Sequence, residues 1–317
     1  MSNIRIGIIG TGRIARRFIR DVSELEEIRI NVIYNPHIES ALKFSKEFGD
    51  LPVAYDLEQF MNQCDSVYIA TPHETHYAYL EAAIKYNKHV LCEKPMTLHS
   101  LEARRILEFA KERNKYVLEA IKTKFCPGYK KLLDVIKENY IGEIKDVEAC
   151  FTKLEQANTR ELTTNKYGGS LRELGSYCLL PIYDLLGTNY RNVQFFCIDN
   201  DLKIDIYTKV FFDYGDKCAT VKVGLGVKSE GQLVISGTKG YIIVRSPWWK
   251  TTHFEIHFED PNNVKVFDIP YEGEGLKYEM IHFLKTIYEN GIFSTDNEQI
   301  LFMATVMEKF ADFRGEN

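Results

Sequence analysis

The chain has no CxxC pair, no apolar run approaching the ~20 residues that span a bilayer, and no charge excess strong enough to seek a polyanion. Its seven cysteines (Cys64, Cys92, Cys126, Cys150, Cys178, Cys197 and Cys218) stand singly and in odd number. That pattern suits a reducing compartment better than a disulfide framework or a zinc site. A formal charge of -5, from 40 Lys plus Arg against 45 Asp plus Glu, gives no electrostatic case for nucleic acid or an anionic membrane. Arg5 breaks the apolar start and a glycine turn follows at once, so no signal peptide is expected and the reading is a cytoplasmic protein. With 45% hydrophobic and 27% charged residues in 317, the chain is globular and long enough for two domains.

What is present begins with Ile4–Ile9, an apolar run suited to a strand buried on both faces. It meets Gly10-Thr11-Gly12-Arg13-Ile14-Ala15, a GxGxxA turn, and then a helical pattern through residue 25. Gly10 permits the tight turn, Gly12 lets the backbone approach a pyrophosphate on the helix N-terminus, and Ala15 lets helix pack on strand. A second strand over residues 29–34 puts Asn35-Pro36-His37 where an acidic residue would chelate the adenosine ribose and repel a 2'-phosphate. Asn35 removes that repulsion, and His37 with Arg13 offers positive charge. NAD and NADP both remain open, with the charge favouring NADP; Asn35-Pro36 also reads as a plain turn before a helix over 38–48.

Alternation continues to residue 120, with helices over 57–62, 75–86 and 100–113 and strands over 66–70, 89–92 and 116–120. Such alternation implies a doubly wound parallel sheet, whose ligands lie beyond the carboxyl ends of the strands. Thr71-Pro72 and Glu93-Lys94-Pro95 fall at such ends. His73 and His76 form HxxH, but no third ligand stands out; capping or cofactor contact by His76 is the expectation and no metal is assigned.

After residue 120 the pattern changes to a helix over 127–139, a strand over 144–152, a polar loop over 154–166, and seven strand-like runs between 193 and 269. Helices over 276–290 and 297–313 close the chain. A Rossmann domain over 1–122 and an α+β domain with an open, largely antiparallel sheet over 123–317 are expected. Within Tyr167-Gly168-Gly169-Ser170-Leu171-Arg172-Glu173-Leu174-Gly175-Ser176-Tyr177, Glu173 and Tyr177 are four apart and share one helix face. A carboxylate and a phenol there can grip a polyol, and a phenol near a cationic lysine becomes a better base. Equally, Ser170 and Glu173 spell an S-x-x-E capping box, and Tyr177 fits a core position.

The glycine turn, Val67-Tyr68-Ile69-Ala70-Thr71-Pro72 with His76, and His89-Val90-Leu91-Cys92-Glu93-Lys94-Pro95 together resemble the glucose-fructose oxidoreductase, inositol dehydrogenase and MocA family. Phe125-Cys126-Pro127 and Ile141-Gly142-Glu143 extend the likeness over nearly the whole chain. The resemblance implies NAD or NADP, a sugar, cyclitol or related polyol as substrate, and Lys94 as the catalytic-site lysine. Tyr177 and Gly175 match the family's DxGxY form, similar to glucose-fructose oxidoreductase and dimeric dihydrodiol dehydrogenase, whereas Glu173 stands where aspartate is usual. Asp184 does not match the extra aspartate of the histidine form. Expected catalytic residues are Lys94, Tyr177 and Glu173; expected cofactor contacts are Gly10, Thr11, Gly12, Arg13, Ile14, Asn35, His37, Thr71, Pro72, His76, Glu93 and Lys94. The resemblance also implies pairing through the open sheet, hence a homodimer or larger oligomer. It admits two other activities, a glycosidase using transient oxidation by NAD and a non-catalytic ligand-binding regulator.

Overall fold

The computed structural model describes residues 3–289 and 296–316. From the N-terminus run β1 (Ile4–Ile9), α1 (Arg13–Val22), β2 (Ile28–Tyr34), α2 (Ile38–Glu47), α3 (Leu57–Asn62), β3 (Ser66–Ile69), α4 (His76–Lys85), β4 (His89–Glu93), α5 (Ser100–Glu112) and β5 (Val117–Ala120). There follow α6 (Pro127–Lys137), β6 (Ile144–Thr152), α7 (Arg160–Thr163), α8 (Ser170–Leu186), and strands β7 (Asn192–Asp199), β8 (Asp205–Asp213) and β9 (Cys218–Gly224). The remainder is β10 (Leu233–Gly237), β11 (Tyr241–Val244), β12 (His253–His257), β13 (Val264–Asp268), α9 (Leu276–Tyr288) and α10 (Asp296–Arg314). The short α7 lies inside the stretch expected to be a polar loop. The expected end of the penultimate helix, at residue 290, lies outside the described residues.

The chain forms two compact units, one of Met1–Lys122 with Gly273–Thr305 and one of Thr123–Glu272 with Val306–Asn317. Residues 273–305, which sequence assigns to the second domain, therefore group with the first. The reason is packing: α9 lies on α1 and β4, and Ile300 and Ala304 join the core that holds Ile9, Val67, Val90 and Ile106. Asp21 of α1 also accepts the backbone N–H of Glu274 and of Lys277 at 2.8 and 3.0 Å, capping the start of α9.

The first unit is a parallel sheet in the order β2-β1-β3-β4-β5. The order of winding reverses between β1 and β3, β2 lying to one side and β4 and β5 to the other, and this switch point is the crevice where doubly wound sheets bind ligands. β3 and β5 are buried at every residue, as strands covered on both faces must be.

The second unit carries an eight-stranded sheet, β13-β12-β11-β10-β6-β9-β8-β7, antiparallel except where β6 pairs with β9. One row across it runs Phe195, Val210, Val221, Ala149, Leu233, Val244, Phe254, Phe267. The six central members of that row are fully buried, with α8 packed against β6, β8 and β9. The adjacent row, Gln194, Phe211, Thr220, Glu148, Val234, Ile243, Glu255, Val266, belongs to the other face. There Phe211 and Val266 are exposed.

Candidate active site

Gly10, at φ +100°, turns the chain out of β1, and a Cβ there would meet the Ala70 carbonyl oxygen at 2.3 Å. Only glycine fits so close to β3. Gly12 differs, since a Cβ on it would meet no protein atom within 4 Å. The protein itself does not require glycine at that point, which leaves room for a ligand above it. Gly12 is the N-cap of α1, no side chain caps that end, and the first turn holds no acid. Its N–H groups are therefore placed for an anion. Ala15 is fully buried.

A cavity of about 420 Å³ lies beyond the ends of β1, β2 and β3, lined by Gly10, Thr11, Gly12, Asn35, Pro36, His37, Ala70, Thr71, Pro72, Thr75 and Tyr79. No carboxylate is among these residues. Asn35 Nδ2 donates to Thr11 Oγ1 at 2.7 Å while its oxygen accepts the His37 N–H at 2.8 Å. Asn35 thus ties the glycine turn to the β2 turn. The Thr75 hydroxyl bonds Thr71 Oγ1 and the Pro72 carbonyl, each at 2.7 Å. The glycine turn, the uncapped helix end and the carboxylate-free cavity fit a dinucleotide.

Of the expected cofactor contacts, Gly10, Thr11, Gly12, Asn35, His37, Thr71 and Pro72 line this cavity; Arg13, Ile14, His76, Glu93 and Lys94 do not. Pro36, Ala70, Thr75 and Tyr79 line it without having been singled out from sequence. Thr75 and Tyr79 are spaced i, i+4 around the start of α4, a signal that was readable. His76 is fully buried, with Nδ1 and Nε2 each 2.9 Å from a backbone carbonyl oxygen, of Pro95 and Thr71 respectively. It straps the ends of β3 and β4 together, and burial lowers its pKa. The His73 and His76 rings are 5.9 Å apart. Among the described residues no group of three or more His, Cys, Asp or Glu could hold a metal ion.

Lys94 follows β4 and is 8% exposed. Glu93 beside it is buried and accepts the Tyr68 hydroxyl at 2.6 Å. Burial raises the Glu93 pKa, opposed by the Lys94 charge and the Tyr68 bond.

In the second unit, α8 carries Glu173 and Tyr177. From Ser170 to Ile182 every residue is buried except these two, so the helix presents one accessible i, i+4 pair. Gly175 lies between them because a Cβ there would meet Leu171 Cδ1 at 2.9 Å and Met307 Cε at 3.1 Å. The Tyr177 ring sits 5.3 Å from Phe151, which stacks on Trp249 at 3.5 Å.

The expected S-x-x-E box is not what starts this helix. Gly169 is the N-cap, and Ser170 is the first helical residue. The Ser170 hydroxyl donates to the Asp205 carbonyl at 2.9 Å and accepts the Leu225 N–H at 3.0 Å. Capping comes from Asp205 of β8, whose carboxylate accepts the Leu171 N–H at 2.9 Å and the Thr208 hydroxyl at 2.7 Å. Burial pushes the Asp205 carboxyl up to about 6.

Residues 4–120 match the oxidoreductase family with NAD-binding Rossmann fold, and residues 129–243 match the GFO/IDH/MocA C-terminal domain. The scyllo-inositol 2-dehydrogenase (NADP(+)) IolU of Bacillus subtilis is 27% identical over 318 residues, covering 96% of this chain and 95% of that protein. The trans-1,2-dihydrobenzene-1,2-diol dehydrogenase of Xenopus laevis is 24% identical over 322 residues, 96% of each chain. Among solved structures, the 3-ketoreductase KijD10 of Actinomadura kijaniata with NADP and TDP-benzene shares the fold, with a TM-score of 0.84 at 20% identity over 97% of this chain and 96% of that one. With both halves matched in order, the chain belongs to the Gfo/Idh/MocA family of NAD(P)-dependent oxidoreductases.

Proposed function

We propose that the protein interconverts a secondary alcohol and a ketone on a ring-shaped polyol, a cyclitol or sugar, with NADP as the preferred cofactor. The observation that carries the reading is the accessible pair Glu173 and Tyr177 on an otherwise buried stretch of α8. A phenol and a carboxylate on one face suit a substrate with several hydroxyls. Both curated relatives described above are named for oxidising ring alcohols or diols, and one is named for NADP(+). No carboxylate lines the cavity beside Asn35 and His37, which supports NADP, whose 2'-phosphate an acid in the lining would repel.

When bound, nicotinamide supplies the hydride acceptor or donor. In this reading Tyr177 takes the hydroxyl proton during oxidation and returns it during reduction. Lys94 donates a hydrogen bond to the oxygen as alkoxide character develops. Glu173 holds a second hydroxyl of the ring, and Glu93 fixes Lys94. The domain assignment proposed with this chemistry is a cofactor domain over 1–122, to which residues 273–305 return, and a substrate domain formed by the rest of the chain after residue 122. A homodimer or larger oligomer formed through the open sheet face accounts for the exposed Phe196, Phe211 and Val266. Among the described residues no helix is long and apolar enough to cross a membrane.

The test is absorbance at the reduced-nicotinamide band against a panel of cyclitols and sugars, run with each cofactor. Turnover with NADP on cyclic polyols is expected. Tyr177→Phe and Lys94→Ala should each lower it more than about tenfold; effects within about threefold, ~0.65 kcal/mol, sink the assignment. Glycoside cleavage without net cofactor reduction identifies the glycosidase alternative. Cofactor binding without turnover on any of the panel favours the regulator.

A further inference from the structure

Glu279 is a wholly buried carboxyl for which the proposed chemistry has no use. It lies on α9 among Leu276, Met280 and Phe283, all buried, and neither of its oxygens has a hydrogen-bond partner among the described residues. The charged groups that face it come from each element around it: Glu93 from the end of β4, Lys122 from just beyond β5, and Asp21 from α1. Asp21 is committed to capping α9. Lys122 donates to the Glu274 carbonyl at 2.6 Å. Glu93 accepts the Tyr68 hydroxyl and stands beside the charges of Lys94 and Lys122.

A buried carboxylate without a donor has lost its hydration and received nothing in exchange, whereas the neutral acid carries no such penalty. Burial first, and then the Glu93 charge, hold Glu279 well above the usual carboxylate range. Burial also raises Glu93, but Lys94 and Tyr68 oppose it. Of the two acids, Glu279 is therefore the one that keeps the proton.

We infer that Glu279 is a positioning residue for Lys94 that acts through Glu93: as the neutral acid, it adds no second carboxylate charge beside the Glu93 that faces the Lys94 ammonium. This rests on the reading of Lys94 given under Proposed function. When Glu279 loses its proton at alkaline pH, two like charges occupy one pocket and the ammonium answers to both. Its hold on the substrate oxygen weakens and turnover falls.

Two measurements on the full chain with NADP bound test this separately. Infrared difference spectra at pH 7 should show a protonated-carboxyl C=O band that shifts in D2O and is lost in Glu279→Gln. Lys94→Met should add a second such band, because Glu93 loses its countercharge. Spectra in which Glu279→Gln removes no band, or Lys94→Met adds none, overturn the coupling. The second measurement is the pH profile of kcat on a polyol that the enzyme turns over. The parent should fall about tenfold per pH unit on its alkaline limb, Glu279→Gln should lack that limb, and Glu279→Asp should restore it. Superimposable profiles for parent and Glu279→Gln overturn the positioning role even where the infrared bands are present. If no polyol is turned over, the proposed function fails by itself, and the infrared bands still decide whether Glu279, Glu93 and Lys94 share one proton balance.

Discussion

The two sheets solve burial differently. In the five-stranded sheet β3 and β5 are buried along their whole length, and the residues offered to ligand come from the turns where strands stop. In the eight-stranded sheet exposure alternates, as in the β12 pattern of half-buried and buried residues, and the accessible polar pair comes from a covering helix. A sheet enclosed on both sides can present chemistry only at its ends, so those positions announce themselves in the sequence. A sheet with one open face has two surfaces to use, and a strand pattern alone does not say which one meets a partner.

The sharpest way to break this contrast is to charge the covered face. Val221→Asp places a carboxylate in the fully buried row and should cost about 4 kcal/mol or more in urea unfolding, with loss of folded protein as an acceptable outcome. Next comes the glycine turn. Gly10→Val forces a branched residue to φ +100° against the Ala70 carbonyl and should cost about 3 kcal/mol. Gly12→Ala should instead change stability by less than about 1 kcal/mol while weakening NADP binding, measured by fluorescence titration. Equal stability losses at both glycines would mean that the space above Gly12 is not kept for a ligand.

Asp205 gives a smaller effect with a defined sign. Its folded pKa, about 6, lies above the ordinary aspartate value, so its contribution to stability is full below that ordinary value and is lost as pH rises through about 6. Relative to Asp205→Asn, the parent should lose on the order of 2–3 kcal/mol between pH 4 and pH 7. Parallel stability curves for the two proteins would show that the carboxyl is not titrating in that window. The smallest effect belongs to the open face. Val266→Lys should alter monomer stability by less than about 0.5 kcal/mol while reducing oligomer mass in sedimentation. A large loss of stability there would show the two faces to be equally buried.

Lys94 and the glycine turn were legible because both sit where an apolar run meets Gly or Pro, a local signal. The helix carrying Glu173 and Tyr177 was legible as a helix, but its cap was not. Asp205 lies 34 residues from the Leu171 N–H it accepts, and nothing near Ser170 names it. The nearby S-x-x-E pattern offered a local answer that the long-range contact displaced. Glu279 left one trace, an acid among Leu276, Met280 and Phe283 on the buried side of α9. That trace reveals burial but not the neighbour, since Glu93 lies far away along the chain. For the same reason the return of residues 273–305 to the first unit was invisible: helix periodicity records a buried face without recording what buries it.

That return matters to how the protein is made. The ribosome delivers the five parallel strands first, yet α9, whose start Asp21 caps and whose Glu279 faces Glu93, emerges only after the entire second sheet has been synthesised. During that interval the nascent first unit must wait with an uncovered flank beside β4. A fragment ending at Lys122 should keep that flank bare permanently, while adding residues 273–305 to it through a short linker should restore the cover without the intervening 150 residues.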